Sequence, residues 1–428
     1  MIAAVQLDGR SQPETEEIGL KARGINRMTS LGLPVPPAFV IPISSSLAAI
    51  PEKDLMRSRE LFNAMSILEA RTQRCFGATG NPLLVSVRSG ATCSMPGILR
   101  TILNVGVNDA THAALQAAYT PEFATAVNAG FRTSYHRACG STPPQNVYAQ
   151  LAYSIKAVEA SFRSRLAVEY RRARGAATPE GTAVTIQAMV YGNLDRTSGS
   201  GIAISQGSRP PIGEWLPGHQ GDALAEGRAI PQSLAMLTDF LPVVQRSLRA
   251  AANTLEAAFG GPQEIEFTVE QRRFWILQTR PATTAPPQSP FFDSPRTPTV
   301  LTGIPASPGV ASGIAVTSRA AARAWAAAGR KVVLCRPTTD PHDMPGIVAA
   351  VALVTELGGA TSHAALISRE LGRPCVVGCG PGAVSRIAGR EVFVDGEAGS
   401  VQILSTPAGF RSDTGPSNVR REVHRGID

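Results

Sequence analysis

A glycine-rich turn that leads into a histidine is the segment of this sequence best suited to covalent chemistry. The turn contains Gly358 and Gly359, followed by the hydroxyl residues Thr361 and Ser362, which can cap a helix. His363 then opens a helix of Ala, Leu and Ile residues. The positive end of a helix dipole disfavours a protonated imidazole, so a neutral His363 could attack phosphorus while N–H groups of the turn hold the phosphoryl oxygens. An ordinary capping turn with an incidental histidine is the alternative.

Two basic residues lie in segments that are suited to phosphate binding. Arg88 follows the apolar run Leu83–Val87 and precedes a loop of Ser, Gly, Ala and Thr residues. A guanidinium group matches phosphate geometry, and small residues let backbone amides approach an anion. Lys21 precedes an amphipathic helix that leads into a proline-containing extended segment. The alternative for each residue is a solvated charge at the end of an element.

A strand with acidic residues on one face is a candidate metal site. Glu264 and Glu266 alternate with apolar residues, and a second apolar run follows the three-residue segment Gln271–Arg273. If that segment is a hairpin loop, Gln278 stands opposite Glu266 on the same face, with Arg280 just beyond it. Carboxylate and amide oxygens suit Mg²⁺, which would bridge nucleotide phosphates. Exposed acids on an amphipathic strand are the alternative.

The surrounding patterns predict the elements that position these residues. Residues 109–172 are rich in Ala and Arg with turn signals between helices, and the alternation over residues 182–190 predicts a strand. Later segments alternate strand and helix, as in α/β folds. The predicted strands are Lys331–Arg336, Val351–Thr355 and Cys375–Val377, and the predicted helix is His363–Leu371, ended by Gly372.

Length and composition favour two domains with a linker between them. A chain of 428 residues has room for two to three domains at about 150 residues each. The proline-rich segment 281–299 predicts an extended linker, and 406–428 predicts a polar tail. These boundaries leave a domain over 1–280 and a smaller one over 300–405.

The composition argues against several classes of protein. Charged residues make up only 17%, which excludes a wholly disordered chain, and no apolar run reaches the roughly 18–20 residues of a membrane helix. The N-terminus lacks the features of a secretory signal, so a cytoplasmic protein with no membrane partner and six reduced cysteines is expected. The net charge of +8 comes from scattered arginines, which favours an anionic small molecule over nucleic acid.

Taken together, the motifs resemble those of the pyruvate phosphate dikinase family, whose members carry a phosphoryl group on a histidine. SVRSGATCSMPG is similar to the family's nucleotide loop and GGATSHAA to its phosphohistidine motif. LGLPVPPAF, GTAVTIQAMVYGN, SGSGIAI and EIEF…LQTR occur in the family's order, so the resemblance covers most of residues 18–400. It implies an α/β (α+β) architecture: an ATP-grasp-like, two-lobed nucleotide-binding domain followed by a small swivelling phosphohistidine domain.

The resemblance also implies a reaction and roles for residues. ATP and phosphate would be substrates, AMP and pyrophosphate products, and the phosphorylated histidine would pass its phosphoryl group to pyruvate. His363 is the implied carrier, within the loop Gly358, Gly359, Thr361 and Ser362. The implied ATP-binding residues are Lys21, Arg88, Glu264, Glu266, Gln278 and Arg280, with Mg²⁺ at Glu266 and Gln278.

Several departures from the family pattern keep other functions open. Glu264 replaces an Asp, Arg100 stands where an acid is expected, Leu357 replaces an arginine, and Ser205–Ser208 replaces a turn with a positive charge. The sequence stops far short of the family's pyruvate-binding barrel, which leads us to expect a barrel on a separate subunit or a different small acceptor. The alternatives are an ATP-dependent small-molecule phosphotransferase or ligase of the same domain family, and a catalytically degenerate nucleotide-binding regulatory protein.

Overall fold

The computed structural model describes residues 2–92, 95, 98–173, 181–225, 229, 231–282 and 299–405. The chain divides into two compact units. The first comprises residues 1–211, 217–219 and 237–281, and the second comprises 212–216, 220–236 and 282–428. The predicted linker 281–299 and tail 406–428 lie almost entirely outside the described residues, so the predicted domain boundaries stay predictions.

The part of the chain before residue 282 alternates short strands with longer helices. Its strands are β1 (Val5–Gln6), β2 (Ala38–Ile41), β3 (Cys75–Phe76), β4 (Pro82–Leu83), β5 (Val85–Gly90), β6 (Thr101–Val105), β7 (Ala183–Ala188), β8 (Gly199–Gln206), β9 (Arg209–Pro217), β10 (Gln232–Ser233), β11 (Gln263–Glu270) and β12 (Arg273–Pro281). Its helices are α1 (Thr15–Ser30), α2 (Glu52–Leu55), α3 (Arg59–Thr72), α4 (Asp109–Ala118), α5 (Pro121–Cys139), α6 (Val147–Ser161), α7 (Arg165–Ala173), α8 (Gly221–Ala225), α9 (Leu237–Phe240) and α10 (Pro242–Phe259).

Two five-stranded sheets organise these elements. One has the order β1-β2-β7-β5-β6 and the other β10-β9-β8-β11-β12. Apolar residues of β2, β5 and β7 pack with those of α3, α5 and α6 in one large core, which includes Phe39, Val87 and Phe131. The helical prediction for 109–172 is confirmed by α4 to α7, and the predicted strand at 182–190 is β7, whose six residues are all buried.

The β11–β12 hairpin reaches the predicted pairing by a different route. Its turn has two residues, Gln271 and Arg272, both with positive φ (48° and 67°), rather than the three that we expected. A β-bulge between Glu266 and Phe267 accommodates one extra residue on β12. The bulge restores the register, and Glu266 lies opposite Gln278 as predicted.

Helix α1 is kinked at Gly19, and the kink determines where Lys21 lies. Gly19 has φ +74°, and a Cβ atom there would overlap the carbonyl oxygen of Gly90 at the end of β5. The amide of Leu20 donates to the carbonyl of Ala91 at 3.0 Å, which holds the two backbones together. Lys21 therefore lies inside a helix just past a kink, beside β5, instead of preceding the helix as we expected from sequence.

The second unit contains an eight-stranded sheet with helices. Its elements after the linker are β13 (Thr299–Thr302), β14 (Ile304–Ser307), β15 (Val310–Val316), α11 (Arg319–Ala327), β16 (Val332–Arg336), α12 (Met344–Ala349), β17 (Ala352–Thr355), α13 (His363–Leu371), β18 (Cys375–Val377), α14 (Ala383–Ile387), β19 (Glu391–Asp395) and β20 (Ser400–Ser405). The sheet order is β13-β20-β19-β15-β16-β17-β18-β14.

Parallel pairing at the centre of this sheet creates the edge that holds the histidine. Strands β15, β16, β17 and β18 are parallel neighbours, and their apolar residues form one core with those of α14. Helix α13 follows β17, as is typical of α/β folds, in which loops at the carboxyl ends of parallel strands carry the functional groups. The strands and helix predicted for this region are confirmed, including the left-handed Gly372 that ends α13, and so is the mixed α/β fold class.

Neither membrane helices nor disulfides are found in the described part of the chain. No described helix is both long and apolar enough to span a bilayer. The five cysteines that the structure describes are free thiols, and burial raises the pKa of Cys375 to about 12 and that of Cys379 to about 11. Both thiols are therefore protonated at neutral pH.

Replacing Gly19 with Ala should destabilise the first unit more than replacing Gly32 does. Both glycines have positive φ (74° and 71°), but a Cβ at Gly32 meets nothing within 4 Å. We expect Gly32→Ala to cost about 1 kcal/mol from backbone strain alone. Gly19→Ala adds a clash with backbone, for a total of about 2–4 kcal/mol. Urea unfolding of both variants measures the difference, and equal losses would contradict the close approach to Gly90.

Candidate functional site

Arg88 is the centre of a polar cluster in the first unit. It lies within β5, not after the end of a strand as we expected, and its side chain is 14% exposed. Its two terminal nitrogens lie 3.4 Å from the amide oxygens of Gln187 and Gln278, and Nη2 lies 3.6 Å from Glu266 Oε2. Its buried Nε has no hydrogen-bond partner among the described residues. The cluster therefore retains a buried donor that a bound oxyanion would satisfy.

The two acidic residues of β11 have different partners. Glu264 lies opposite Arg280, whose guanidinium donates to Glu264 Oε1 from Nε at 2.9 Å and also from Nη2. This carboxylate is 4% exposed, and its charge is balanced by that ion pair. Glu266 is 32% exposed and is shared with Arg88. Glu266 and Gln278 thus converge as predicted, whereas Glu264 binds Arg280 instead of joining them.

Lys21 is brought to the same cluster by the kinked helix. Helix α1 packs against β5 and β12. Burial, together with the like charges of Arg88 and Arg280, lowers the pKa of Lys21 to about 7, and the carboxylate of Glu266 partly opposes the shift. The cluster holds three basic side chains against two carboxylates, so its electrostatics favour an added anion. A low lysine pKa of this kind is typical of functional sites.

Glu266 and Gln278 are the candidate ligands for the magnesium ion that the sequence suggested. Among the described residues, no three His, Cys, Asp or Glu side chains are close enough to form a metal site on their own. One carboxylate and one amide oxygen, from Glu266 and Gln278, do match the way Mg²⁺ binds when phosphates and water supply its remaining ligands. The adjacent Arg88 would repel a bare cation. The residues present therefore fit a magnesium–nucleotide complex better than a free ion.

Gln187 is a member of the cluster that sequence reasoning missed. It lies on β7 and is 2% exposed, and its Nε2 donates to the carbonyl of Pro36 at 3.2 Å. That bond directs its Oε1 at Arg88. The available signal was a long polar side chain in the middle of an apolar strand, because such a residue is buried only when its hydrogen bonds are made.

His363 is the first residue of α13 in the second unit. Ser362 is the N-cap residue, but its side chain makes no capping hydrogen bond, so the predicted cap oxygen is not used. The histidine is 8% exposed, and its Nδ1 lies 3.4 Å from the hydroxyl of Thr339. Thr339 follows β16 and His363 follows the parallel strand β17, so both lie at the carboxyl edge of the sheet. The contact with Thr339 is made by Nδ1, one of the two ring nitrogens of His363.

The turn before His363 holds an internal anion. Backbone amides of Ala360 and Thr361 donate to the carboxylate of Glu214 at 2.6 and 3.1 Å, and the Thr361 hydroxyl donates to it as well. Gly358, with φ +106°, gives the turn its shape. Glu214 belongs to the segment 212–216 that clusters with the second unit. Sequence reasoning did not identify this residue, because the contact joins positions 147 residues apart.

The departures from the family pattern have structural roles of their own. Arg100 donates to the carbonyl of Ala138 near the end of α5. Ser205, at the end of β8, accepts a hydrogen bond from the amide of Gln263 at 2.8 Å. The carbonyl of Leu357 accepts from the Thr355 hydroxyl. These contacts give each of these departures a structural role in the fold.

Comparison with known families matches both halves of the chain. The family model described as "Pyruvate phosphate dikinase, AMP/ATP-binding domain" matches residues 58–210 and 241–291. The model described as "PEP-utilising enzyme, mobile domain" matches residues 329–399. The first match contains most of the Arg88 cluster, and the second contains His363 and its turn.

The chain is also similar to individual pyruvate, phosphate dikinases. The chain is 31% identical to "Pyruvate, phosphate dikinase 2" of Oryza sativa subsp. japonica over 85% of its own length and 51% of the relative's. It is 29% identical to "Pyruvate, phosphate dikinase" of Rhizobium meliloti (strain 1021) over 93% of its length and 57% of the relative's. The solved structure titled "NMR solution structure of Enzyme I (nEIt) protein using two 4D-spectra" is 27% identical over 22% of this chain and 37% of that one, with a TM-score of 0.16, which is too low to support an argument.

The chain spans about half the length of the curated relatives it matches. Within that span it carries the two domains matched above, in the order in which the sequence motifs predicted them. The chain therefore contains an AMP/ATP-binding domain of the pyruvate phosphate dikinase type and a mobile domain of the PEP-utilising enzyme type.

Proposed function

We propose that this protein is an ATP-dependent phosphotransferase that moves a phosphoryl group from ATP to His363 and then to a small acceptor. The observation that carries the proposal is the cluster of Lys21, Arg88 and Arg280 around Glu266, which needs an anion to balance it. Triphosphate is such an anion, and the family model that matches residues 58–210 and 241–291 describes an AMP/ATP-binding domain. The final acceptor is pyruvate on a separate barrel subunit, or another small molecule.

The cluster residues would bind and orient the nucleotide phosphates. Arg88 has a buried Nε without a partner among the described residues, so it would donate to a phosphate oxygen at no cost to its existing contacts. Lys21 would add a positive charge once the phosphates arrive. Glu266 and Gln278 would hold Mg²⁺, which neutralises phosphate charge when bound. Glu264 would act indirectly, by holding Arg280 in place.

Atom balance then assigns the phosphoryl group that reaches His363. If ATP and phosphate yield AMP and pyrophosphate, the α-phosphorus leaves in AMP and the γ-phosphorus leaves joined to phosphate. The β-phosphorus therefore remains, bonded to an imidazole nitrogen of His363. The P–O bonds that break are the α–β and β–γ bridges, and the bonds that form are P–N at His363 and P–O in pyrophosphate. Thr339 at Nδ1 favours Nε2 as the attacking atom.

A second candidate function rests on the departures from the family pattern. Arg100 and Leu357 differ from the residues that the family pattern predicts, and Ser205–Ser208 lacks the expected positive charge. A regulatory protein that binds ATP without phosphorylating His363 would tolerate all three. A related phosphotransferase or ligase with a different acceptor would turn over nucleotide without pyruvate.

We also propose that the protein is cytoplasmic and uses phosphate as a co-substrate. We propose no nucleic-acid partner and no membrane partner.

Labelled ATP tests the proposal directly. With Mg²⁺ and phosphate, β-labelled ATP should leave acid-labile label on the protein, whereas γ-labelled ATP should release its label in pyrophosphate. His363→Asn should abolish the protein label. His342→Asn, which removes an exposed histidine of the same unit, should leave it unchanged. ATP binding with no label at His363 would instead select the regulatory function.

Nucleotide binding should be coupled to proton uptake by Lys21. Its pKa of about 7 leaves the amine mostly neutral at pH 8, and bound phosphates raise that pKa by favouring the charged form. ATP affinity should therefore fall as pH rises from 7 to 9. Calorimetry at pH 8 in buffers of different ionisation enthalpy should report uptake of up to one proton. Lys21→Met should remove it, the exposed Lys53→Met should not, and equal uptake by all three proteins would refute the assignment.

Removing the Glu266 charge should separate metal binding from phosphate binding. Glu266→Gln takes away a carboxylate beside Arg88, so metal-free ATP should bind more tightly, by about 1 kcal/mol. The gain in affinity that Mg²⁺ gives the wild type should shrink, because one of its ligands is lost. Dissociation constants with and without Mg²⁺ measure both effects. Glu270→Gln on the same strand is the control, and a parallel response of the two variants would contradict a metal role for Glu266.

A further inference from the structure

The carboxylate of Glu214 makes the most concentrated set of contacts near His363. It accepts from the amides of Ala360 and Thr361 and from the Thr361 hydroxyl. All of these residues belong to the second unit. Two backbone donors and one hydroxyl directed at a single carboxylate form an oxyanion arrangement, reinforced by the N-terminal end of α13.

Gly359 supplies the space that this carboxylate occupies. A Cβ atom at position 359 would overlap the carboxylate of Glu214, so the missing side chain is what admits it. The nearby Ser362 hydroxyl is buried, with 3% of the residue exposed, and has no hydrogen-bond partner among the described residues. The turn therefore holds one anion through Glu214 and still has a donor to offer.

We propose that Glu214 is an internal ligand of the turn before His363, and that a phosphoryl group on His363 displaces it. The turn's donors suit a phosphoryl oxygen as well as a carboxylate oxygen. A phosphoryl group on a side chain two residues after Thr361 would bring close to two negative charges beside the single charge of Glu214. Repulsion between like charges then favours release of the carboxylate from the turn. The displacement step rests on the proposed function, whereas the contact itself does not.

Phosphorylation of His363 is the event that changes the position of the Glu214 carboxylate. In the unphosphorylated protein, the Glu214 carboxylate accepts the hydrogen bonds of the turn. After phosphorylation, the phosphoryl oxygens replace the carboxylate. Because the carboxylate stabilises only the unphosphorylated state, its removal should raise the fraction of His363 that is phosphorylated at equilibrium.

Hydrogen exchange at the amides of Ala360 and Thr361 tests the contact in the unphosphorylated chain. Glu214→Gln removes the charge and keeps the volume, and Gly359→Ala keeps the charge and removes the space. Each should speed exchange at these two amides by about tenfold, the effect of one weakened hydrogen bond. Glu256→Gln is the matched control, because its carboxylate accepts from the amide of Gly207 and should change exchange there alone. Unchanged exchange at Ala360 and Thr361 in both test variants would overturn the contact.

Chemical phosphorylation tests the displacement without relying on ATP turnover. Potassium phosphoramidate phosphorylates histidine with neither nucleotide nor metal, so its result is independent of the proposed function. At limiting reagent, Glu214→Gln should be phosphorylated at His363 to a greater extent than the wild type, because no carboxylate has to be displaced, whereas the control Glu256→Gln should match the wild type and His363→Asn should lack the modification. Mass spectrometry measures the extent and confirms the modified site. An equal extent of phosphorylation in the wild type and in Glu214→Gln would overturn the displacement.

Discussion

A concentration of partly buried positive charge is the constraint on which the nucleotide half of this structure depends. Lys21, Arg88 and Arg280 meet two carboxylates in a place where water is scarce enough to lower the pKa of Lys21 to about 7. Three elements carry these charges: the kinked helix α1, the strand β5 inside the first sheet and the β11–β12 hairpin. Buried apolar residues flank these groups along β5 and the β11–β12 hairpin, among them Val87, Ile265 and Ile276. A bound polyanion would balance the positive charges of this cluster. Its affinity therefore depends on how these charges are arranged.

The turn before His363 is also suited to an anion, but here a carboxylate of the same unit already occupies it. This turn presents backbone donors and a helix N-terminus, and a carboxylate from Glu214 already satisfies them. The first unit is thus short of an anion, and the second unit supplies one from its own chain. A phosphoryl group is the species that both arrangements suit, since it is anionic and has several acceptor oxygens. The two units are therefore matched in chemistry, each through its own residues.

In the β11–β12 hairpin, the sequence predicted the correct pair of residues from an incorrect turn length. Alternation predicted which faces the acids occupy, and counting through a three-residue loop paired Glu266 with Gln278. The actual turn has two residues, and the bulge beside Glu266 supplies the missing step. Turn length and bulge position are not distinguished by alternation, because both insert one residue into the same register. The pair was predictable from sequence, and the backbone geometry that produces it was not.

The sequence by itself determined the fold class, helix α13 with His363 at its start and Gly372 at its end, and the alternation that exposes Glu266. Those features depend on periodicity and capping within a few residues. Only the tertiary structure decided that Arg88 contacts Gln278, 190 residues away, and that Glu264 pairs with Arg280. It also decided that Glu214 occupies the turn before His363. Such contacts depend on how distant elements pack and which charges lose their water, and the local pattern of residues does not encode either.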